Sequence, residues 1–258
     1  MQNTNLVYFS ASGTTKTVAT ILADSLGAAK TEFDLLRNCP EQPITVEADT
    51  PAVFAVPVFS GRIPSSCVDA LKQFKGERTP AIAVVVYGNR EYDDALLELT
   101  DILKAHDFVV VAAAAFVAQH SIFPAVGEGR PDQKDKDAIE EFGKKCKASL
   151  ESFTGAEAVV VKGNTPYLTP SAIPLRPAGS SKCNACETCA AICPTKAISA
   201  ATPRKSDKTR CISCTACIAA CPQKARQFSG FLYSLAGKAF TKQNTSRREP
   251  EYFYSEVS

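Results

Sequence analysis

Eight of the eleven cysteines fall into two copies of one pattern. Cys183, Cys186, Cys189 and Cys193 precede Pro194, and Cys211, Cys214, Cys217 and Cys221 precede Pro222. Each copy reads C-x2-C-x2-C-x3-C-P, and each cysteine of the second lies 28 positions after its counterpart. Three thiolates at intervals of three on one tight loop can cap three irons of a [4Fe-4S] cubane. The fourth cysteine leads into a helix pointing away, so it serves the other cubane. The expected ligand sets are therefore crossed: Cys183, Cys186, Cys189 and Cys221 for one cluster, Cys211, Cys214, Cys217 and Cys193 for the other. A pair of structural zinc sites would also use C-x-x-C units, but zinc needs neither the third cysteine of each run nor the proline.

A second constellation lies near the start. The run Leu6 to Phe9 ends in Ser10-Ala11-Ser12-Gly13-Thr14-Thr15 and passes into a segment of helical period. Hydroxyls, backbone N–H groups and the positive end of a helix make a phosphate cradle that needs no lysine. Neither G-x-G-x-x-G nor Gly-Lys-Ser/Thr is present, so this is not a dinucleotide or P-loop fingerprint. Helix N-caps use the same residue types, and the loop alone is weak evidence. Two more loops strengthen it: Pro57-Val58-Phe59-Ser60-Gly61-Arg62-Ile63-Pro64 and Tyr87-Gly88-Asn89-Arg90-Glu91-Tyr92-Asp93.

The elements that must position these loops are legible as alternating apolar runs and helical periods over the first 155 residues. Strands are expected near 5–10, 29–34, 51–58, 80–87 and 108–118, and helices near 14–26, 65–75, 92–105 and 133–151. The crossover over 35–50 is poorly marked. Five parallel strands in this rhythm predict an α/β fold, a doubly wound sheet of order 2-1-3-4-5. Its ligand crevice lies beyond the carboxyl ends of the strands, where all three loops meet. A phosphate at the first loop and a planar ring between the other two describes FMN.

From Leu6 through Gly13, Thr15 and Ala19 the chain resembles the flavodoxin family, and the other two loops resemble its ring-binding loops. With the cysteine repeats added, residues 5–226 resemble the fusion proteins in which a flavodoxin-like domain precedes a two-cluster ferredoxin. The resemblance implies that Ser10, Ser12, Gly13, Thr14 and Thr15 hold the phosphate. Pro57, Phe59, Ser60, Gly61 and Arg62, with Gly88, Asn89, Arg90 and Tyr92, would border the isoalloxazine ring. Many flavodoxins stack the ring on tryptophan, and this chain has none; Phe59 or Tyr92 would serve. Arg62 and Arg90 stand where acidic residues are common. The implied organisation is a flavodoxin-like domain over 1–160, a proline-rich linker over 161–181, a small α+β two-cluster ferredoxin domain over 182–228 and an aromatic tail over 229–258.

The net charge of +2 conceals an asymmetry. Residues 1–155 carry 15 Lys and Arg against 21 Asp and Glu, whereas residues 156–258 carry 14 against 6. The basic second half is accounted for by anionic clusters, by docking on the acidic half or by steering an acidic redox partner, and no nucleic-acid motif accompanies it. The longest apolar run, Phe108 to Ala118, is about half of what a membrane helix requires, so no membrane span is expected. Thiolates destined for iron must stay reduced until assembly, which places the expected setting in a cytoplasm. Cys39, Cys67 and Cys146 lack spacing partners and are expected to be small buried hydrophobes. His106 ends a helix, and His120 follows the fifth strand, within reach of a flavin. The tail, with Phe228, Phe231, Leu232, Leu235 and Phe240, is expected to pack on the second domain or the junction. These features describe an electron carrier between two [4Fe-4S] clusters and FMN, serving other redox proteins. The alternative is an FMN-dependent reductase of a small molecule or nicotinamide, fed by the clusters. Neither the oligomeric state nor the direction of electron flow is encoded in these motifs.

Overall fold

The computed structural model describes residues 2–155, 159–171 and 173–255. Ala172 of the expected linker and the last three residues of the expected tail lie outside them. In chain order the elements of the first domain are β1 (Asn3–Tyr8), α1 (Thr14–Ser25), β2 (Ala29–Asp34), β3 (Ile44–Val46), β4 (Ala52–Pro57), α2 (Ser65–Leu71), β5 (Phe74–Gly76), β6 (Thr79–Tyr87), α3 (Ala95–Ala105), β7 (Phe108–Val117) and α4 (Gln133–Glu151). The second part contains β8 (Ala178–Gly179), α5 (Thr188–Ala191), α6 (Ala216–Ala219), β9 (Arg226–Gln227), α7 (Phe231–Gln243) and β10 (Glu251–Tyr254).

The main sheet runs β2-β1-β4-β6-β7-β10. Its first five strands are parallel and, counted in chain order, stand as 2-1-3-4-5, the flavodoxin-like order. β4 and β6 are buried along their whole length, as strands covered by helices on both faces must be. Alternation along β1 divides the core: Leu6 and Tyr8 face a cluster with Leu22, Ile139 and Phe142, while Val7 and Phe9 face one with Phe54, Leu96 and Leu99.

Two features differ from the sequence expectation. The sheet has a sixth strand: β10, from the tail, pairs antiparallel with β7. Tyr252 and Tyr254 stack near Phe142, with ring centroids 5.4 and 5.7 Å apart, and Phe253 meets the opposite core face. A strand rich in aromatics thus covers an edge that would otherwise be open. In the poorly marked crossover, β3 pairs with β5 in a separate two-stranded parallel sheet.

The tail also departs from expectation at α7. Tyr233 and Phe240 pack against Phe123, at 5.5 and 5.1 Å, but Phe231, Leu232 and Leu235 are exposed. Cys67 and Cys146 are buried, whereas Cys39, in the loop after β2, is exposed. His106 sits at the C-cap of α3, where its Nδ1 lies 2.8 Å from the Ile102 carbonyl. The linker is no free spacer: Asp94 accepts from the Asn164 N–H at 2.8 Å and the Leu168 N–H at 2.6 Å, seating it on the first domain. Among the described residues no helix is long and apolar enough to cross a membrane.

Candidate functional site

The carboxyl ends of β1, β4, β6 and β7 open into one cleft that is partly open to solvent. Its wall takes Ser12, Thr14 and Thr15 from the first loop, Pro57, Phe59, Ser60 and Gly61 from the second, and Gly88 and Arg90 from the third. A fourth loop, after β7, adds Gln119, His120 and Ser121. Cys214, from the cysteine-rich part, completes it.

At the first loop, Gly13 is the N-cap of α1 with φ 97°, a left-handed conformation that favours glycine, and no side chain caps the helix. Ser10 is buried and its Oγ accepts from the Lys16 N–H at 3.0 Å, so it braces the loop from below. Ser12 and Thr14 stand with their hydroxyls 3.2 Å apart at the cavity wall. Ser10 takes the Lys16 N–H, and the Thr14 and Thr15 N–H groups, beside the Ser12 and Thr14 hydroxyls, fit a phosphate.

At the second loop, Phe59 and Arg62 close a tight turn through reciprocal backbone hydrogen bonds. Gly61 lies at φ 81° with Asp93 against it, and its carbonyl accepts from the Asp94 N–H at 3.1 Å. Phe59 is the aromatic ring in the cavity wall from this turn.

Three residues expected at the ring are turned elsewhere. Arg62 makes a two-point ion pair with Glu98, at 2.8 and 2.7 Å, donates to the Leu168 carbonyl at 2.8 Å and stacks on Tyr167, so it anchors the linker and lines a neighbouring cleft. Tyr92 is buried against Tyr87 and donates to Glu251 of β10 at 3.0 Å. Asn89 is buried with φ 58°. Its amide donates to the Asn244 and Ser246 carbonyls at 3.0 and 2.9 Å and accepts from Arg130 and the Arg248 N–H at 3.1 and 3.0 Å. Its hydrogen-bonding capacity is used in clamping the tail. Of the two arginines, only Arg90 lines the cavity, paired with Asp93.

His120 Nδ1 accepts from the Ile122 and Phe123 N–H groups at 3.2 and 3.1 Å, which leaves Nε2 as the protonated nitrogen of a neutral ring. Burial, reinforced by the Arg90 charge, lowers its pKa to about 4. His120 therefore lines the cavity as a neutral imidazole.

The cysteines converge in two further cavities, and the grouping is crossed. One is lined by Cys183, Cys186, Cys189 and Cys221, the other by Cys193, Cys211, Cys214 and Cys217. The repeat extends to the backbone: left-handed residues recur as Ala185 and Ser213, Glu187 and Thr215, and Lys196 and Lys224. Equivalent N–H···S bonds run from Ala197 to Cys193 at 3.2 Å and from Ala225 to Cys221 at 3.3 Å.

The donor set fits a multi-iron cluster: the four sulfurs of each set stand around the walls of a cavity, as ligands on the outside of a cubane do. Burial pushes the Cys214 thiol up to about 12 and also raises Cys189 and Cys217, so binding to a positive centre would favour their thiolate forms. Two buried polar atoms without a protein partner, Thr215 Oγ1 and Arg226 Nε, belong to residues that line these cavities, where cluster sulfur would accept from them.

Sequence reasoning missed Cys214 as a wall of the first cavity and, apart from His120, the whole fourth loop. The latter had a signal: the longest strand ends at the same sheet edge as the other three.

Residues 180–199 and 205–227 match the family described as the 4Fe-4S binding domain. A search of curated protein sequences finds no match. Among solved structures the chain is similar to a flavodoxin from the domain Archaea, with 12% identity and a TM-score of 0.39 over 58% of this chain and 99% of that one. It is similar to a WrbA-like flavodoxin from Agrobacterium tumefaciens, with 16% identity and a TM-score of 0.42 over 58% and 98% of the two chains. It is also similar to the rubredoxin oxygen:oxidoreductase of the anaerobe Desulfovibrio gigas, with 12% identity and a TM-score of 0.43 over 59% and 37%. Residues 180–227 thus match a 4Fe-4S binding family and follow an α/β domain whose parallel strands stand in the order 2-1-3-4-5.

Proposed function

We propose that this protein carries single electrons between two [4Fe-4S] clusters and FMN, linking one-electron redox proteins to a two-electron centre. Bound FMN would supply the ability to exchange one or two electrons, and the clusters one each; the chain supplies position and tuning. One observation carries the reading: Cys214, a ligand candidate for one cluster, stands in the wall of the cavity that fits the flavin.

Ser12, Thr14 and Thr15, with the first-turn N–H groups of α1, would hold the phosphate. Phe59, Ser60, Gly61, Gly88 and Arg90 would border the ring, with His120 as a neutral imidazole. The set Cys211, Cys214, Cys217 and Cys193 would then face the flavin. The set Cys183, Cys186, Cys189 and Cys221, whose Cys186 is exposed, would be the port to a separate redox protein. Lys182, Arg204 and Lys224 are exposed around that set and favour an acidic partner.

A second reading, a reductase of a small molecule or nicotinamide fed by the clusters, is favoured by the cleft that shares Phe59 and Ser60 with the flavin cavity and reaches Cys211. A ligand there that perturbs the flavin spectrum would select it. The first test for both is anaerobic purification with iron, sulfide, zinc and flavin analysis. Iron and sulfide for two clusters with one FMN per chain is expected; stoichiometric zinc, or no flavin, would overturn the proposal.

A further inference from the structure

The repeat of 28 residues that carries the cysteines also aligns Ile198 with Arg226. Both are buried, at 6% and 3% exposure. Ile198 packs with Cys189 and Cys217, one cysteine from each ligand set, so its position lies between the two cluster cavities. Arg226 holds the related position on the other side of the repeat's pseudo-symmetry. It lines the cavity of Cys183, Cys186, Cys189 and Cys221, and its charge acts on the same two sulfurs, Cys189 and Cys217. An arginine thus stands where the repeat's logic calls for an aliphatic residue.

Apart from a hydrogen bond to the Cys217 sulfur, the guanidinium is held by neutral groups. Nη1 donates to the Pro203 carbonyl, and Nη2 donates to the Pro177 carbonyl at 2.9 Å and to Ser206 Oγ at 2.5 Å. None of the ion pairs among the described residues involves Arg226, and its buried Nε has no protein partner. A buried cation without a counter-charge is costly unless an anion neutralises it. The anions its position offers are the cluster whose cavity it lines and, through its hydrogen bond to Cys217, the other cluster, each of which would become more negative by one charge on reduction.

We propose that Arg226 is the fixed positive charge between the two cluster sites, raising the reduction potential of both so that the domain holds two electrons at once more readily than with an apolar residue there. The inference rests on the reading of the cysteine sets as [4Fe-4S] sites. Each site takes up one electron and no proton, and the guanidinium keeps its charge throughout, so the doubly reduced state gains from it twice. A domain feeding a flavin that accepts electron pairs has a use for that state.

The test is an anaerobic dithionite titration of the full chain, followed by electron paramagnetic resonance, with iron content measured on the same samples. Wild type is compared with Arg226→Lys, which keeps the charge, Arg226→Gln, which keeps donors for the carbonyls without it, and Arg226→Ile, which copies Ile198. Both signals should move to more negative potential in the Gln and Ile variants and stay near wild type in the Lys variant. Wild-type potentials in an iron-replete Gln or Ile variant would overturn the proposal. So would a Lys variant that shifts as far as Gln, or iron lost from the Lys variant as fully as from the neutral ones, since packing alone would then explain the residue. Wild-type protein without iron for two clusters would instead overturn the underlying reading.

Discussion

The two halves of the chain reach a fixed structure by different means. The first buries two continuous apolar layers against a sheet, with β4 and β6 wholly enclosed. The cysteine-rich stretch of the second, residues 178–227, has four-residue helices, two-residue strands and a buried cluster of its own made of little more than Cys189, Ile198 and Cys217. A core that small cannot offset the conformational entropy of the loops it must order, so iron has to supply what apolar burial does not. Binding and stability are thus separable in the first half and inseparable in the second.

The largest effect that sharpens this contrast is removal of iron. Chelation under reducing conditions should unfold residues 180–227 while the six-stranded sheet survives, read as hydrogen exchange that becomes fast only in the cysteine-rich part. Retained protection there would show that the second half folds on its own contacts. Next is the converse. Gly13→Asp places a carboxylate where a phosphate dianion should sit, and like-charge juxtaposition of about 3 kcal/mol lowers flavin affinity ~100-fold or more. Iron content should not change, and full flavin retention would remove the first loop from the site.

How far the sequence revealed these halves depends on what made each signal. Apolar runs such as Phe108 to Val117 mark strands because both faces are covered, and the cysteine spacing marks the metal sites because ligand geometry constrains it. The partners of Asn89, Tyr92 and Arg62 were not legible. Each of these residues is held by a segment distant in sequence, the tail for the first two and the linker for the third. The same holds for β10, whose alternating Tyr252, Phe253 and Tyr254 read as an aromatic tail until β7 is seen to need an edge partner. Cys214 was legible as a candidate ligand but not as a wall of the cavity proposed for the flavin, since that requires the relative placement of the two halves.

Smaller effects probe the seam between the halves. Arg62→Ala leaves the carboxylate of Glu98, 7% exposed, without its guanidinium and should destabilise the first domain by about 3 kcal/mol in thermal unfolding. Because Arg62 faces the linker, flavin content should stay at the wild-type level; a loss of flavin at unchanged stability would return Arg62 to the flavin site. Tyr252→Ala removes a half-buried ring from the Phe116 and Phe142 contacts and should cost about 1–2 kcal/mol in the first half only. An equal loss of iron would mean that the tail supports the second half as well.

The central claim is that the cluster of Cys211, Cys214, Cys217 and Cys193 adjoins the flavin. Its most direct test is flash photoreduction of the full chain, following flavin and cluster absorbance in wild type, Cys193→Ala and Cys221→Ala, each with its remaining iron quantified. Electron exchange with the flavin should persist when Cys221 is replaced and fall by ~10-fold or more when Cys193 is replaced, because only the second change damages the cluster whose ligand lines the cavity. Exchange that survives Cys193→Ala and is lost in Cys221→Ala would contradict the account.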